Sequence, residues 1–314
     1  MAAIVITEFM DEEAIRGLLG SHEVVYDPAL VDRREDLLAA VARADALIVR
    51  NRTRVDAALL DRAPKLQAVG RLGVGLDNID MDACRARGIT VYPATGANDA
   101  AVVEWVIAVM LVLLRGAYAA TGDVIAGAWP RTKLMGREAG GKRLGLVGFG
   151  AIGRKVGAVA AALGMDVAAF DPHLPASDAA WRQPWGNVTP CDLKTLLGGS
   201  DVISLHVPLT GATRNMIDAE AIAGMKRGAI LINAARGGVV EEAAVAAALK
   251  SGALGGAALD VFAQEPLTAD GGAVFAGCPN LILTPHIAGV TVEANTRVSR
   301  LVAEKIRDHL AGGA

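Results

Sequence analysis

The sequence predicts an α/β protein with two doubly wound parallel sheets. Three observations predict this fold class. Short apolar runs alternate with helical patterns along most of the chain. The 314 residues are enough for two domains of roughly 150 residues each. A glycine triplet with the spacing G-x-G-x-x-G lies near the middle of the chain, where a second alternating series begins.

The first series of strands and helices comes before residue 98. Each predicted strand is a short run rich in Val and Ile, and each predicted helix has apolar residues at helical spacing. The predicted helices include residues 33–44 and 55–63. The predicted strands are residues 4–7, 23–27, 46–50, 66–71 and 89–93. These elements are sufficient for a small sheet covered by helices.

Residues 100–129 follow, and their central run "VIAVMLVLL" is apolar on all sides. This pattern predicts one helix that is buried on several faces. The run is too short to cross a membrane. A helix between two domains, or across a contact between subunits, fits it.

The second series begins at Arg143 and carries the glycine triplet directly after its first apolar run. The chain then ends in a predicted helix over 293–312. The predicted strands of this series are residues 143–148, 166–171, 201–207, 229–235, 257–261 and 281–285.

Composition and charge exclude several classes of protein. The 31 basic and 34 acidic residues are well mixed, which gives no electrostatic reason to expect nucleic acid or a membrane surface as a partner. Cys84, Cys191 and Cys278 show no C-x-x-C spacing, so we expect free thiols in a reducing compartment and no metal site. The amino terminus has no basic start typical of a signal peptide. We therefore expect a cytoplasmic protein.

The glycine triplet consists of Gly148, Gly150 and Gly153, between an apolar run and a helical pattern. In this context the glycines allow a tight turn, a close approach of backbone to pyrophosphate, and close packing of helix on strand. Asp171 ends the next predicted strand, where a carboxylate can accept hydrogen bonds from the ribose hydroxyls. The residues directly after Asp171, Pro172 and His173, offer no arginine to bind a 2′-phosphate, which favours NAD over NADP. The alternative interpretation is an ordinary turn and an unrelated aspartate.

Three side chains that suit acid–base chemistry follow predicted strands of the second series: Arg236, Glu265 and His286. Ligands bind at the carboxyl ends of strands in such sheets. An arginine fork matches the carboxylate and carbonyl of a 2-oxo acid, and a histidine held by a carboxylate suits proton delivery. Singly, each also has a structural explanation, as a surface, loop or helix-capping residue.

Four motifs in order resemble the signatures of the D-isomer-specific 2-hydroxyacid dehydrogenases: "LGLVGFGAIG", "INAARGGVV", "LDVFAQEP" and "TPHIAG". The segment "GRLGVGLDNID" resembles the substrate-carboxylate loop of that family. The resemblance covers nearly the whole chain. It implies NAD as cofactor and a Rossmann cofactor domain at 98–290, inserted in a flavodoxin-like substrate domain formed by 1–97 and 291–314.

The resemblance also implies a role for each site residue. Arg236 would bind the substrate carboxylate and polarise the carbonyl, His286 would be the acid/base, and Glu265 would be its partner. Val74 and Gly75 would offer backbone N–H groups to the substrate, and Asn98 is a further predicted substrate-binding residue. The implied cofactor-binding residues are Gly148, Gly150, Ala151, Ile152, Gly153, Asp171, His206, Val207, Pro208, Ala234, Ala235, Arg236, Asp260, His286 and Gly289.

The substrate is less sharply indicated. Within that family, the sequence as a whole resembles the phosphoglycerate dehydrogenases most. Its amino-terminal part, with "VITEFMDEEAI", resembles sulfolactate dehydrogenases. Arg52 and Arg71 follow strands of the first series and are candidates to bind a second anionic group, as in 3-sulfolactate or 3-phosphoglycerate. Hydroxypyruvate and glyoxylate are the alternative substrates. A non-enzymatic NAD-sensing protein similar to certain co-repressors is the alternative function. We expect a homodimer formed through the cofactor domain.

Overall fold

The computed structural model describes residues 1–312 of the chain. The strands are β1 (Ala3–Ile6), β2 (Glu23–Tyr26), β3 (Ala46–Val49), β4 (Ala68–Arg71), β5 (Thr90–Pro93), β6 (Arg143–Val147), β7 (Asp166–Phe170), β8 (Arg182–Gln183), β9 (Gly186–Asn187), β10 (Thr189–Pro190), β11 (Val202–Leu205), β12 (Ala229–Asn233), β13 (Leu254–Leu259) and β14 (Leu281–Leu283).

The α-helices are α1 (Glu12–Ala14), α2 (Arg34–Val41), α3 (Ala57–Asp61), α4 (Met81–Ala86), α5 (Asp99–Arg115), α6 (Thr121–Ile125), α7 (Ala151–Ala162), α8 (Leu193–Gly199), α9 (Ala219–Ala223), α10 (Glu242–Ser251), α11 (Ala269–Gly272) and α12 (Val292–Leu310). A π-helical turn extends α1 over Ile15–Leu19, and 3₁₀ turns occupy Leu30–Asp32, Ala117–Ala120, Ala179–Trp181 and Ala273–Phe275.

The chain divides into two compact units, Met1–Asn98 with Val290–Ala314, and Asp99–Gly289. These limits lie within one residue of the boundaries expected above. The first unit contains a five-stranded parallel sheet with the order β2-β1-β3-β4-β5. This is the flavodoxin-like order, in which the chain reverses direction across the sheet between β1 and β3.

The last helix belongs to the first unit. Val298, Val302 and Ile306 of α12 are buried in the same apolar cluster as Ile4 and Ile48. A β-carbon at Gly70 in β4 would lie 2.5 Å from a methyl group of Val302, so glycine allows this helix to approach the sheet closely.

The second unit contains a seven-stranded parallel sheet with the order β10-β7-β6-β11-β12-β13-β14. Counted among the strands of this sheet alone, the order is 3-2-1-4-5-6-7, which is the Rossmann order with one additional strand. β6 and β11 pair from Leu144 opposite Val202 to Val147 opposite Leu205. Their carboxyl ends therefore meet at the point where the strand order reverses. The predicted fold class, two doubly wound parallel sheets, is confirmed.

The predicted single helix over 100–129 is wrong in its extent. α5 ends at Arg115, and Gly116 adopts a left-handed φ of 61° before a 3₁₀ turn and the short α6. Glycine tolerates that conformation and commonly ends a helix for this reason. Within α5, Val106 and Met110 are fully buried, as the apolar pattern predicts.

In the described part of the chain, no helix combines the length and the apolar character that crossing a membrane requires. The three cysteines are free. Among residues 1–312, no group of three or more His, Cys, Asp or Glu side chains is arranged to hold a metal ion.

Candidate active site

The glycine triplet forms the turn between β6 and α7. Gly148 has a φ of 93°, and a β-carbon there would lie 2.5 Å from the carbonyl oxygen of His206. A β-carbon at Gly153 would lie 2.5 Å from the carbonyl oxygen of Gly148. By contrast, a β-carbon at Gly150 would meet no atom within 4 Å. Two glycines are therefore required by packing, and the third leaves open space over the start of a helix.

That open space lies over backbone donors. α7 begins at Ala151 and Ile152, and its N-cap residue, Gly150, has no side chain to bond the first N–H groups. The helix is 12 residues long, and such uncapped N–H groups attract a phosphate. The cradle thus fits the pyrophosphate of a dinucleotide.

Asp171 directly follows β7 and is oriented by backbone donors. Its Oδ2 accepts a hydrogen bond from Phe149 N at 2.9 Å, and its Oδ1 accepts one from His173 N at 3.0 Å. These bonds attach the carboxylate to the glycine turn and leave lone pairs on both oxygens. The arrangement fits the ribose contact predicted for Asp171.

His206, Val207 and Pro208 follow β11, the neighbour of β6. The His206 ring nitrogen Nε2 is 3.0 Å from the hydroxyl of Ser204. Burial of the imidazole lowers the pKa of His206 to about 4, so the ring is neutral at pH 7. A neutral ring adds no charge beside the phosphate cradle.

The loop after β12 carries Ala234, Ala235 and Arg236. The fully buried amide of Asn233 holds it, because Oδ1 accepts from Ala235 N and Nδ2 donates to Arg236 O, both at 3.0 Å. Arg236 Nη1 donates to Ala235 O at 2.6 Å. A β-carbon at Gly237 would lie 1.7 Å from the carbonyl oxygen of Phe262. The Arg236 loop therefore lies directly against the loop that leads to Glu265.

His286 and Glu265 are in contact. Nδ1 of His286 lies 2.7 Å from Oε2 of Glu265, while Oε1 of Glu265 accepts from Phe262 N at 3.0 Å. The two side chains are 37% and 29% exposed, so a small molecule can reach them. With Nδ1 directed at the carboxylate, Nε2 is the nitrogen available to a substrate.

The environment keeps Glu265 charged. Partial burial raises its pKa, but the hydrogen bonds from His286 and from Phe262 N, with the charges of His286 and Arg236, outweigh burial and lower the pKa below its usual value. A carboxylate that remains ionised near neutral pH keeps its acceptor oxygen directed at Nδ1 of His286, which holds the ring in one orientation.

The loop that carries His286 also contains Gly289 and is bonded to Asp260, which directly follows β13. The backbone oxygen of Asp260 accepts from His286 N at 2.8 Å, and its carboxylate accepts from two further N–H groups and one hydroxyl of the loop. Asp260 is 1% exposed.

The residues of the first unit that are predicted to bind substrate lie in different environments. The guanidinium of Arg52 pairs with Asp32 on the surface. Arg71, at the end of β4, donates from Nη1 to Leu72 O at 3.1 Å, and its guanidinium lies against the α-carbon of Gly73. The next residue along the same turn, Val74, is 37% exposed.

Two other predicted residues belong to the same unit. Gly75 follows Val74 and is partly buried. Oδ1 of Asn98 is buried and has no hydrogen-bond partner among the described residues. Such an oxygen is a candidate acceptor for a ligand donor.

Sequence reasoning missed Glu8. This 5% exposed carboxylate follows β1 and accepts from the backbone N–H groups of Arg50, Arg52 and Thr53 at 2.8, 3.1 and 3.0 Å. It therefore holds the loop after β3, at the point where the order of the first sheet reverses. An acidic residue directly after an apolar strand, the signal that marked Asp171, is also present in "IVITEF".

Comparison with known proteins gives a consistent result. The family model described as "D-isomer specific 2-hydroxyacid dehydrogenase, NAD binding domain" matches residues 107–288. An (S)-sulfolactate dehydrogenase of Chromohalobacter salexigens is 54% identical over 308 residues, which are 98% of each chain. A D-3-phosphoglycerate dehydrogenase of Methanocaldococcus jannaschii is 39% identical over 318 residues, 99% of this chain but 58% of its own.

A solved structure is similar as well. The D-lactate dehydrogenase from Aquifex aeolicus, crystallised with NAD and lactic acid, superimposes with a TM-score of 0.86 and 27% identity. The match covers 99% of this chain and 96% of that chain.

Proposed function

Because the chain belongs to the D-isomer specific 2-hydroxyacid dehydrogenase family, we propose that it uses NAD to interconvert a D-configured 2-hydroxy acid and its 2-oxo acid, with a second anionic group on the substrate. The observation that carries the proposal is the 2.7 Å contact of His286 with Glu265. It forms an acid–base pair at the carboxyl edge of the sheet that also carries the phosphate cradle.

Each site residue has a defined task in the reduction. Arg236 binds the substrate carboxylate through paired hydrogen bonds and polarises the carbonyl. NADH, when bound, supplies the hydride to the carbonyl carbon. His286 donates the proton from Nε2 to the carbonyl oxygen, which becomes the hydroxyl. Glu265 holds Nδ1 of the ring and stabilises the imidazolium before the transfer. In the oxidation, neutral His286 accepts the same proton.

The cofactor is held by this chain's own groups. The N–H groups of Ala151 and Ile152 would face the pyrophosphate, and Asp171 would accept from the ribose hydroxyls. A carboxylate at this position repels a 2′-phosphate, which favours NAD over NADP.

We propose a sulfolactate-type substrate. The 54% identity to an (S)-sulfolactate dehydrogenase over nearly all of both chains supports this class. The predicted side chains for the second anion are Arg71, at the end of β4, and Arg52, which pairs with Asp32 on the surface. Arg50 is a further candidate. Its Nη2 donates to Asn295 at 2.7 Å, while its buried Nε has no hydrogen-bond partner among residues 1–312.

A substrate panel tests the proposal. Purified protein is assayed with NAD and D-configured 3-sulfolactate, 3-phosphoglycerate, glycerate, malate and lactate, and with NADH and hydroxypyruvate or glyoxylate. We expect kcat/KM for sulfolactate to exceed that for lactate at least about tenfold, the size of one charge-assisted contact. Turnover confined to substrates without a second anion would contradict the substrate class. Tight NADH binding without any turnover would instead identify an NAD sensor.

We also propose a homodimer formed through the second unit. Large apolar side chains are exposed after α5, where Tyr118 is 67% exposed, Ile125 81%, Trp129 74% and Met135 81%. Large exposed apolar side chains within one segment are a candidate protein interface. Light scattering should give twice the mass of 32.3 kDa, and Ile125→Glu with Trp129→Glu should shift the protein to monomer. The cytoplasmic location stays a prediction.

A further inference from the structure

Asp260 is a buried carboxylate with an unusual set of partners. Oδ1 accepts from the Thr284 hydroxyl at 2.5 Å and from Ile287 N at 2.8 Å, and Oδ2 accepts from Ala288 N at 2.8 Å. The side chain is almost fully buried, and no cation is paired with it among residues 1–312. A buried charge without an ion-pair partner requires strong hydrogen bonds. All three donors of Asp260 lie within one five-residue segment, 284–288.

The residue at the centre of that segment is His286, and its backbone is strained. Its φ is 57°, a left-handed conformation that few residues other than glycine adopt. His286 N donates to Asp260 O at 2.8 Å and to Thr284 O at 3.0 Å. Strained residues persist only where their surroundings hold them. Here the restraints on both sides of His286 converge on Asp260.

The restraint has a direct consequence for the side chain. The direction in which a side chain leaves the backbone depends on the backbone angles. A return of His286 to an ordinary φ would swing the imidazole away from Glu265, which lies on another loop and is held there by Phe262 N. The 2.7 Å contact between Nδ1 and Oε2 therefore depends on the conformation of segment 284–288.

We propose that Asp260 is the positioning residue of the acid–base pair, because its carboxylate holds segment 284–288 in the backbone conformation that places His286 against Glu265. This inference rests on the proposed function for its catalytic consequence. The restraint of segment 284–288 by Asp260 does not depend on the proposed function. Asp260 retains one lone pair on Oδ2, so a contact with the cofactor's amide, as the family resemblance implies, is compatible with the positioning role but does not account for it.

The test replaces Asp260 with Asn, which keeps the shape but turns one acceptor into a donor facing an N–H group. We expect kcat to fall roughly 100-fold, within the range that general acid–base catalysis contributes. The milder Thr284→Val removes only the hydroxyl donor, and we expect a roughly tenfold fall in kcat. Thermal melts verify that both variants are folded.

A second measurement needs no turnover. The titration of the Glu265 carboxyl, followed by carbon NMR in cofactor-free protein, reports whether His286 remains beside it. We expect the pKa of Glu265 to rise in Asp260→Asn towards the value in His286→Ala, which defines a Glu265 without its partner. Thr284→Val should lie between wild type and Asp260→Asn.

The outcomes separate the two proposals. An unchanged Glu265 titration in both variants would overturn the positioning role, even if NADH binding or kcat changes. If Asp260→Asn does not fold, Thr284→Val decides, and an unchanged kcat and titration in that variant would overturn the role. A shifted titration in a protein without dehydrogenase activity would support the positioning role and refute the proposed function.

Discussion

The carboxyl ends of the two sheets are built alike but present their side chains differently. In both, a buried polar side chain at a strand end clamps the backbone of a neighbouring loop: Glu8 in the first unit, and Asn233 and Asp260 in the second. In the second unit the clamped loops bring His286 and Glu265 to 2.7 Å. In the first unit the clamped loop carries Arg52, whose guanidinium pairs with Asp32 instead.

A restrained backbone determines the position of a short side chain more closely than that of a long one. A histidine has two side-chain torsions, so a restrained backbone nearly determines where its ring lies. An arginine has a long stem with considerable rotamer freedom, so the same kind of clamp leaves its charged end to find a partner. Motifs at strand ends therefore predict the positions of short side chains better than the positions of long ones.

The largest expected effect concerns the second unit. His286→Ala removes the proposed proton donor, and kcat should fall about 1,000-fold, as for the loss of a general acid. NADH binding, followed by fluorescence, should remain nearly unchanged. His22→Ala in the first unit is the matched control and should retain full activity. Wild-type turnover in His286→Ala would remove His286 from the mechanism.

A second prediction concerns how the free energy of unfolding depends on pH through His206 of the second unit. The folded pKa of His206 is about 4, whereas an unfolded histidine binds its proton near about 6.5. The unfolded state thus binds more protons between these values, and stability falls as pH decreases from about 6.5 to 4. The expected loss in the free energy of unfolding is about 2 kcal/mol. This is less than the full difference in pKa corresponds to, because solvent screens the partly exposed ring of His206. Denaturant titrations at pH 7 and pH 4.5 should show this loss, and His206→Gln should reduce it.

A third prediction concerns cofactor choice. Asp171→Ala removes the proposed ribose acceptor and the charge proposed to disfavour a 2′-phosphate. The KM for NAD should rise roughly tenfold, the effect of one or two hydrogen bonds, and the ratio of NADP to NAD activity should increase. Asp178→Ala, which removes a carboxylate in the segment that follows Asp171, is the control. An unchanged preference would show that the ribose contact lies elsewhere.

The weakest effect is expected at Arg52 in the first unit. Arg52→Ala breaks an exposed ion pair, and kcat/KM for the doubly anionic substrate should change less than about threefold. Arg71→Ala should lower it about tenfold, the size of one charge-assisted hydrogen bond to the second anion. Equal losses in the two variants would mean that Arg52 leaves Asp32 when substrate binds.

Much of the architecture was accessible from sequence because apolar runs and turn residues are local signals. Both sheets, the glycine turn and the strand-end positions of Glu265 and His286 follow from such signals. The extent of the helix after residue 100 did not, since its apolar pattern continues past Gly116, where the backbone turns left-handed. The hairpin of β8 and β9 was missed because its two-residue strands carry too few side chains to show an alternation.

The side-chain contacts of the first unit were harder to predict for a different reason. Arg52 and Asp32 are separated by a helix in sequence, and only the tertiary structure brings them together. The role of Glu8 likewise depends on three backbone donors that are more than 40 residues away. Long-range polar contacts of this kind leave no periodic pattern in a single sequence.

The close approach at Gly237 limits how this enzyme family member can be re-engineered. The space between its α-carbon and the Phe262 carbonyl admits not even one methyl group, so randomised libraries that aim to alter acid selectivity around Arg236 should keep codon 237 invariant.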